Sequence, residues 1–474
     1  MRSLSGLDAT FLYLETPQTP MHVGSLHLCE LPKGFKGSFR GAVQAHLRKR
    51  MHLAPLFSQR LAFPPMNLGH PLWVDAGDVD LDFHVRKARG GALTVRQVEA
   101  AAARLHAQLI DRQRPLWEFH VFEEVKPPPG MAAQGRLAAF YTKIHHAALD
   151  GKGGTVLANA ILDLGPVPRE VPPPRTPLRQ ADLKVGQMVG AVFSNSMAQI
   201  AKLARALPAT ASSLGAAATR GGSPLQLAPR TVFNVGIGTG RSFATASLPM
   251  ADCRALAKSV GGSLNDVVLW LCSTALRSYL HKQGSVPRRS LVAAMPVSLR
   301  EDGNTDLNNQ ASITAVQLGS QFADPIRRMH AIMESTGKVK QALGQLKSVL
   351  PTDYPSLLAP WLVGGAGRML LKTYGRGSIA QRLPAVANLA ISNVPGPPVP
   401  LYLAGARLLT FHPLSIVLHG LALNITVQSY AGRIDFGLVA DSKAVPRLGE
   451  LAKALETAFE EAQRVFPEPL RKAA

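Results

Sequence analysis

The chain has little cysteine: Cys29, Cys253 and Cys272 are the only three in 474 residues. An odd number of distant cysteines forms neither a disulfide framework nor a metal spacing, and points to a reducing compartment. Acidic residues are sparse as well, 31 Asp and Glu against 52 Lys and Arg, which leaves a formal charge of +21. An excess of that size attracts something anionic: nucleic acid, a phosphorylated substrate or an anionic membrane surface. Finger spacings, a basic zipper and aromatic RNA-binding motifs are all missing, so no nucleic-acid partner is expected.

Long hydrophobic runs are missing too. The most apolar late stretch, "LLAPWLVGGAG" (357–367), falls well short of the ~20 residues that span a bilayer. The N-terminal "MRSLSGLDATFLYLE" carries Asp8 and Glu15 where a signal peptide needs an unbroken apolar core. The expectation is a cytoplasmic protein, peripheral at a membrane or lipid inclusion. No G-x-S-x-G elbow offers a serine nucleophile. The stretch "GIGTGR" (236–241) is glycine-rich but lacks the Walker spacing and its lysine-serine pair. It reads as a flexible loop at a strand edge.

What is present is apolar residue at 46%, enough for a large core, on a length that suggests two or three domains. Residues 1–165 mix strand and helix. "MHVGSLHLCEL" and "RLAAFYTKIHH" (136–146) read as strands, and "TVRQVEAAAARLHAQLID" (94–111) as an amphipathic helix. A proline-rich stretch, "GPVPREVPPPRTP" (165–177), opens a connector over 166–230. Its apolar stripe of Val185, Met188, Val189, Val192, Ile200 and Leu203 marks a helix within 183–207. The plain reading is a connector packed on the protein's own surface; the sharper one is an amphipathic helix resting on lipid. A second α/β half, 231–474, begins with two helices around a Gly-Gly turn (252–283). Strands follow at 289–300, 388–396, 421–432 and 433–441, the last two joined as a hairpin at Ala431-Gly432, and a helix over 445–466 closes the chain.

Chemistry concentrates in "FYTKIHHAALDGKGG" (140–154), where the sequence's one His-His pair stands at a strand end. Strand alternation puts Phe140, Thr142, Ile144 and His146 on one face and Tyr141, Lys143 and His145 on the other. Two histidines pointing apart do not converge on one atom, which argues against a metal held by His145, His146 and Asp150. A general base needs only one of them, because a neutral imidazole can take a proton from a hydroxyl at physiological pH. Asp150 then orders the loop and Gly151 permits its turn. The competing reading is a satisfied pair of core histidines.

"HHAALDG" (145–151) has the HHxxxDG pattern of acyltransferases built like chloramphenicol acetyltransferase. Six further motifs occur in order around it: "LDATFLYLETPQTPMHVGSL" (7–26), "PLWEFHVFE" (115–123), "LNDVVLWLCSTALRSYL" (264–280), "MPVSLR" (295–300), "NLAISNVPGPPVPLYLAGA" (388–406), and "GLALNITVQSYAGRIDFGLVAD" (420–441). Over nearly the whole chain the set resembles the bacterial bifunctional wax ester synthase/diacylglycerol acyltransferase family. The resemblance implies an α/β fold of two chloramphenicol acetyltransferase-like subdomains, each a mixed sheet with flanking helices, around a central channel. It implies acyl-CoA as donor substrate, with no further cofactor, and a fatty alcohol or diacylglycerol as acceptor. Carried onto this chain, His146 is the general base, His145 supports it, and Asp150 with Gly151 completes the motif. Asn265 and Asp266 fall near the channel as substrate-binding or oxyanion residues. Pro115, Leu116, Trp117 and Glu118 match an architectural motif, and Asn393, Val394, Pro395 and Gly396 a channel-shaping turn. Two other readings stay open: a condensation-type enzyme taking its acyl group from a carrier protein, and a catalytically silent lipid-binding protein of the same fold. Oligomeric state is not legible.

Overall fold

The structure, a computed structural model, describes residues 2–64, 69–131, 133–149, 153–174, 227–298, 311–346 and 385–467. Asp150, Gly151, the connector helix expected in 183–207 and the apolar stretch 357–367 lie outside them.

Two mixed sheets dominate. The first has seven strands, with its backbone of β2 (His22–Glu30), β7 (Leu137–His145), β6 (Trp117–Phe122) and β5 (Val85–Lys87). β2, β7 and β6 run antiparallel, and β5 lies parallel to β6. The second has six, ordered β10 (Ala311–Gln317), β9 (Val292–Ser298), β11 (Leu389–Val394), β15 (Leu423–Tyr430), β16 (Arg433–Asp441) and β8 (Arg241–Pro249). A small third sheet joins β1 (Arg2–Ser3), β4 (Leu72–Asp75) and β3 (Gln59–Ala62). The β15–β16 hairpin turns at Ala431 and Gly432, both at positive φ, as a two-residue loop between right-twisted strands requires.

Local chemistry sets the helices. α4 (Val95–His106) starts on a capping box of Thr94 and Gln97, and buries Val98, Ala102, Ala103 and His106 along one stripe. α7 (Leu264–Lys282) starts on a second box, Ser263 with Asp266, and follows α6 (Met250–Ser259) after a glycine turn at Gly261. α9 (Leu448–Val465) packs across α7 and β8 and helps bury the second half's core around Trp270, Phe436 and Leu455.

The sequence halves do not keep to separate sheets. Three short strands from the second half, β12 (Tyr402–Leu403), β13 (Ala406–Leu408) and β14 (His412–Leu414), complete the first sheet. β13 and β14 both pair with β2, with Leu408 opposite Cys29 and His412 opposite Leu26. In return α4 lies against β8, the edge strand of the second sheet. Glu99 on α4 accepts hydrogen bonds from the Thr245 backbone N–H (3.1 Å) and its hydroxyl (2.5 Å). One apolar cluster draws on both halves: Leu26, Val98, Tyr141, Phe243, Leu414 and Val439 share it.

The crossing of β14 over β16 depends on a missing side chain. A Cβ on Gly437 would stand 1.7 Å from the Pro413 carbonyl oxygen. Asp435 beside it accepts from Phe411 N–H (2.7 Å) and the Ser247 hydroxyl (2.5 Å), tying β14, β16 and β8 together. Gly437→Ala therefore forces the two backbones apart, and should cost about 1–3 kcal/mol of unfolding free energy. Urea titration of that variant against Gly449→Ala, where a Cβ meets open space, checks the assignment.

Candidate active site

β7 ends at His145 and a 3-10 turn, His146–Ala148, begins with the next residue. That change of geometry separates the two imidazoles. His145 keeps the face shared by Tyr141 and Lys143 and is fully buried. Its Nδ1 accepts the Ala147 N–H at 3.1 Å, so the side chain caps the very turn that carries His146. With Nδ1 accepting, the proton sits on Nε2. Nε2 lies 3.3 Å from Glu15 Oε1.

His146 is only partly buried. Its backbone N–H donates to the Met21 carbonyl at 2.8 Å. Its ring stacks on Phe11 of α1 (Gly6–Leu14), with centroids 3.9 Å apart and planes 17° from parallel. Burial lowers this imidazole from 6.5 to about 4; contact with its own backbone carbonyl opposes the shift, and His145 adds to it. The ring is therefore neutral, an acceptor, throughout the physiological range.

Glu15, just past α1, holds the arrangement. Its side chain is 1% exposed. Oε1 accepts the Met21 N–H at 3.1 Å, and Oε2 takes both Nε (3.1 Å) and Nη2 (2.7 Å) of Arg112. Burial alone would raise this carboxyl; His145 first, then His22 and Arg112, overcome it and hold it at about 2. One carboxylate thus fixes His145 through its ring and His146 through Met21.

The same face of the sheet continues as a buried polar seam. Lys143, with no exposed surface, lies 3.3 Å from Glu118 Oε2, and His120 Nε2 is 3.4 Å from the same oxygen. His106 of α4 pairs its Nδ1 with the Tyr141 hydroxyl at 2.8 Å. His22 reaches the Gln108 carbonyl with Nε2 at 3.0 Å. Burial lowers His22, His106 and His120, with Lys143 reinforcing each, so these rings are neutral beside a buried cation. The opposite face is apolar, Trp117, Phe119, Phe140 and Ile144. A basic cleft of about 620 Å³, lined by Arg48, Lys49 and Arg169, holds none of the motif residues.

Of the residues named from sequence, His145 and His146 occupy one turn with distinct surroundings. Asp150 and Gly151 are outside the described residues. Asn265 and Asp266 stand in the first turn of α7, where they have different occupations. Asn265 Oδ1 accepts from Asn393 Nδ2 at 3.4 Å, which brings the second-half motif and the Asn-Val-Pro-Gly turn together. Asp266 is engaged within its own half of the chain. Oδ2 accepts the Ser263 N–H (2.7 Å) and hydroxyl (2.6 Å), and Oδ1 accepts the Thr336 hydroxyl (2.7 Å). It is the buried N3 member of the capping box that opens α7. The loop 236–241 is not a flexible edge; its bonds to Asp441 and His419 pin it. Glu15, Arg112, His22, Lys143 and Phe11 were not read as site residues. The available signal was Lys143 sharing the His145 face, since a lysine inside an apolar strand needs a buried partner.

Two mixed sheets, the first completed by strands of the second half, with a His-His pair at the end of a central strand, match the fold of chloramphenicol acetyltransferase-like acyltransferases. A condensation domain of the calcium-dependent antibiotic synthetase shares that fold, at TM-score 0.52 and 13% identity over all of this chain and 98% of its own. The family profile of the wax ester synthase/diacylglycerol acyltransferase catalytic domain matches residues 4–268, and that of the C-terminal domain of the same family matches 307–463. The chain belongs to this family and is an acyltransferase. A putative diacylglycerol O-acyltransferase of Mycobacterium tuberculosis is 35% identical over 97% of this chain and 99% of its own length. The O-acyltransferase WSD of Acinetobacter baylyi is 32% identical over 96% of each. The solved wax ester synthase/diacylglycerol acyltransferase of Marinobacter aquaeolei superposes at TM-score 0.69 with 29% identity, over 98% of this chain and all of that one.

Glu15→Gln removes the charge that Arg112 and His145 answer. It should destabilise the fold by about 3–5 kcal/mol, the usual cost of stranding a buried ion, and lower turnover more than tenfold at temperatures where the variant stays folded. Calorimetry alongside an initial-rate assay reads both effects. A second expectation concerns pH. His27, His70 and His146 are lowered to about 4 and His106 to about 3, each chiefly by burial. Folded values below the unfolded 6.5 favour the neutral native state, so their contribution is complete above pH 6.5 and lost as pH falls towards 4. Each histidine contributes a slope of at most ~1.4 kcal/mol per pH unit. The melting temperature should be level from pH 7 to 8 and fall steeply between 6.5 and 4; a level curve to pH 5 would contradict the neutral assignment.

Proposed function

We propose that the chain transfers a fatty acyl group from acyl-CoA to the hydroxyl of diacylglycerol or a long-chain alcohol, with His146 as general base. The observation that supports this most is the neutral, partly exposed His146 ring on a turn fixed from three sides. The acceptor O–H gives its proton to the imidazole as its oxygen bonds to the thioester carbonyl carbon. The tetrahedral oxyanion collapses, the carbon–sulfur bond breaks, and the imidazolium returns the proton to the coenzyme A thiolate. Burial that keeps His146 near 4 makes its imidazolium a ready donor for that last transfer. The reaction calls on no group beyond the two substrates and the chain itself.

Asn265 supports the oxyanion assignment in one respect. With Oδ1 engaged by Asn393, its Nδ2 is left as a donor, and one well-placed donor is worth about 3–4 kcal/mol of barrier. The charge of +21 suits the coenzyme's phosphates and an anionic lipid surface on which oily acceptors reside. Among the described residues no helix is long and apolar enough to cross a membrane, which accords with peripheral attachment.

His146→Ala should reduce thiol release from palmitoyl-CoA by about 10²–10⁴-fold with either hexadecanol or diacylglycerol as acceptor, the range that general bases supply, while circular dichroism stays native. A folded His146→Ala protein with near-normal rates would reject the base assignment. Turnover with a carrier-protein thioester but not with acyl-CoA would reject the donor.

A further inference from the structure

The loop 236–241 looks idle in the sequence, yet its last residue is among the most committed side chains of the molecule. Gly238 N–H donates to Asp441 Oδ2 at 2.8 Å, Ser442 N–H to the Gly240 carbonyl at 3.3 Å, and Ile237 N–H to His419 Nδ1 at 3.0 Å. Gly240 has no room for a Cβ, which would stand 2.3 Å from the Ser442 hydroxyl. Arg241, the first residue of β8, folds its guanidinium back over this loop. Nη1 donates to the carbonyls of Gly238 and Gly240, 2.9 Å each, with Asp441 Oδ2 4.0 Å away. The side chain is 3% exposed.

Its other nitrogen leaves the second half altogether. Nη2 donates to the backbone carbonyl of Gln18 in the first half. Gln18 belongs to a tight turn closed by Thr16 and Thr19, whose backbones exchange hydrogen bonds and whose hydroxyls meet at 2.8 Å. That turn is bracketed by the two residues that hold the histidine pair, Glu15 on one side and Met21 on the other.

We propose that Arg241 is a positioning residue for acyl transfer, holding the Gln18 carbonyl so that Glu15 and Met21 keep His145 and His146 in place. The proposal rests on the acyltransferase reading above. A planar fork with donors on both nitrogens is what the arrangement uses. The shorter, single-headed ammonium of lysine cannot serve two carbonyls of the loop and one across the domain boundary. Although burial lowers the guanidinium to about 10, it remains a cation at neutral pH. Arg241 spends its donors on the carbonyls of Gly238, Gly240 and Gln18, so its loss should misplace the base and leave binding alone.

The test compares wild type, Arg241→Met and Arg241→Lys. Lysine keeps a cation beside Asp441, so that variant separates the link to Gln18 from simple loss of a buried ion pair. In the thiol-release assay with palmitoyl-CoA and hexadecanol, both variants should lose kcat about tenfold or more, in keeping with the cost of small displacements of a catalytic group. KM for each substrate should stay within about twofold, and millimolar ethylguanidine should restore part of kcat to Arg241→Met. A readout independent of turnover is acylation of His146 by diethylpyrocarbonate, mapped by mass spectrometry against the exposed His281. His146 should react several-fold faster in both variants, with His281 unchanged. Wild-type kcat in either folded variant, a raised KM for palmitoyl-CoA as the main effect, or unchanged His146 labelling would overturn the proposal. If wild type releases no thiol from these substrates, the proposed donor and acceptor fail, and the labelling still decides the role of Arg241.

Discussion

A carboxylate taken out of water, Glu15, sets the terms for everything around it. Stranding such a charge costs several kcal/mol, more than any one contact in the turn regains. The native state offsets that cost only where Arg112, the Met21 N–H and the His145 ring all reach the same two oxygens. Those partners come from the α1–β2 turn, the segment before β6 and the end of β7. Satisfying one ion therefore brings three distant stretches of chain into register. The histidine turn is a by-product of that satisfaction, because the ring fixed by Glu15 is the ring that caps it.

β7 then works with two unlike faces. Phe140 and Ile144 anchor one side in an apolar core, whereas Tyr141, Lys143 and His145 line a seam in which charge is paired and imidazole is neutral. The seam is buried, so each group there is either paired or discharged. Lys143 keeps Glu118 as its partner while neighbouring histidines give up their protons. Charge in such a region is screened weakly, so pairs formed there interact more strongly than they would at the surface.

Period and capping made much of the frame readable. β2, β7, β15, β16 and α4 stand within a few residues of where alternation and helical spacing put them, and the positive φ of Ala431 and Gly432 matches a two-residue hairpin. Alternation also put His145 with Lys143 and Tyr141, as found. It failed by one residue at His146, which begins a 3-10 turn and so leaves the strand's two-fold pattern. The short strands β12 to β14 carry two or three residues each, too few for a period, and their partner β2 lies almost the whole chain away. Glu15 was visible only as a letter in a motif, since nothing local to it announces Arg112 or His145. Asp266 shows the converse: a motif position whose spacing from Ser263 is that of a helix cap.

The pairing of β14 with β2 bears on how the molecule comes into being. His412 meets Leu26 across nearly four hundred residues, so the edge of β2 has no neighbour there while a ribosome is still delivering the middle of the chain. Contacts of such sequence separation form late and slowly, and an unpaired strand edge is open to pairing with other chains in the interval. The first sheet cannot be finished before the second half has emerged. The first sheet is thus committed to closing after synthesis of both halves, with β2 waiting on residues 406–414 of the second.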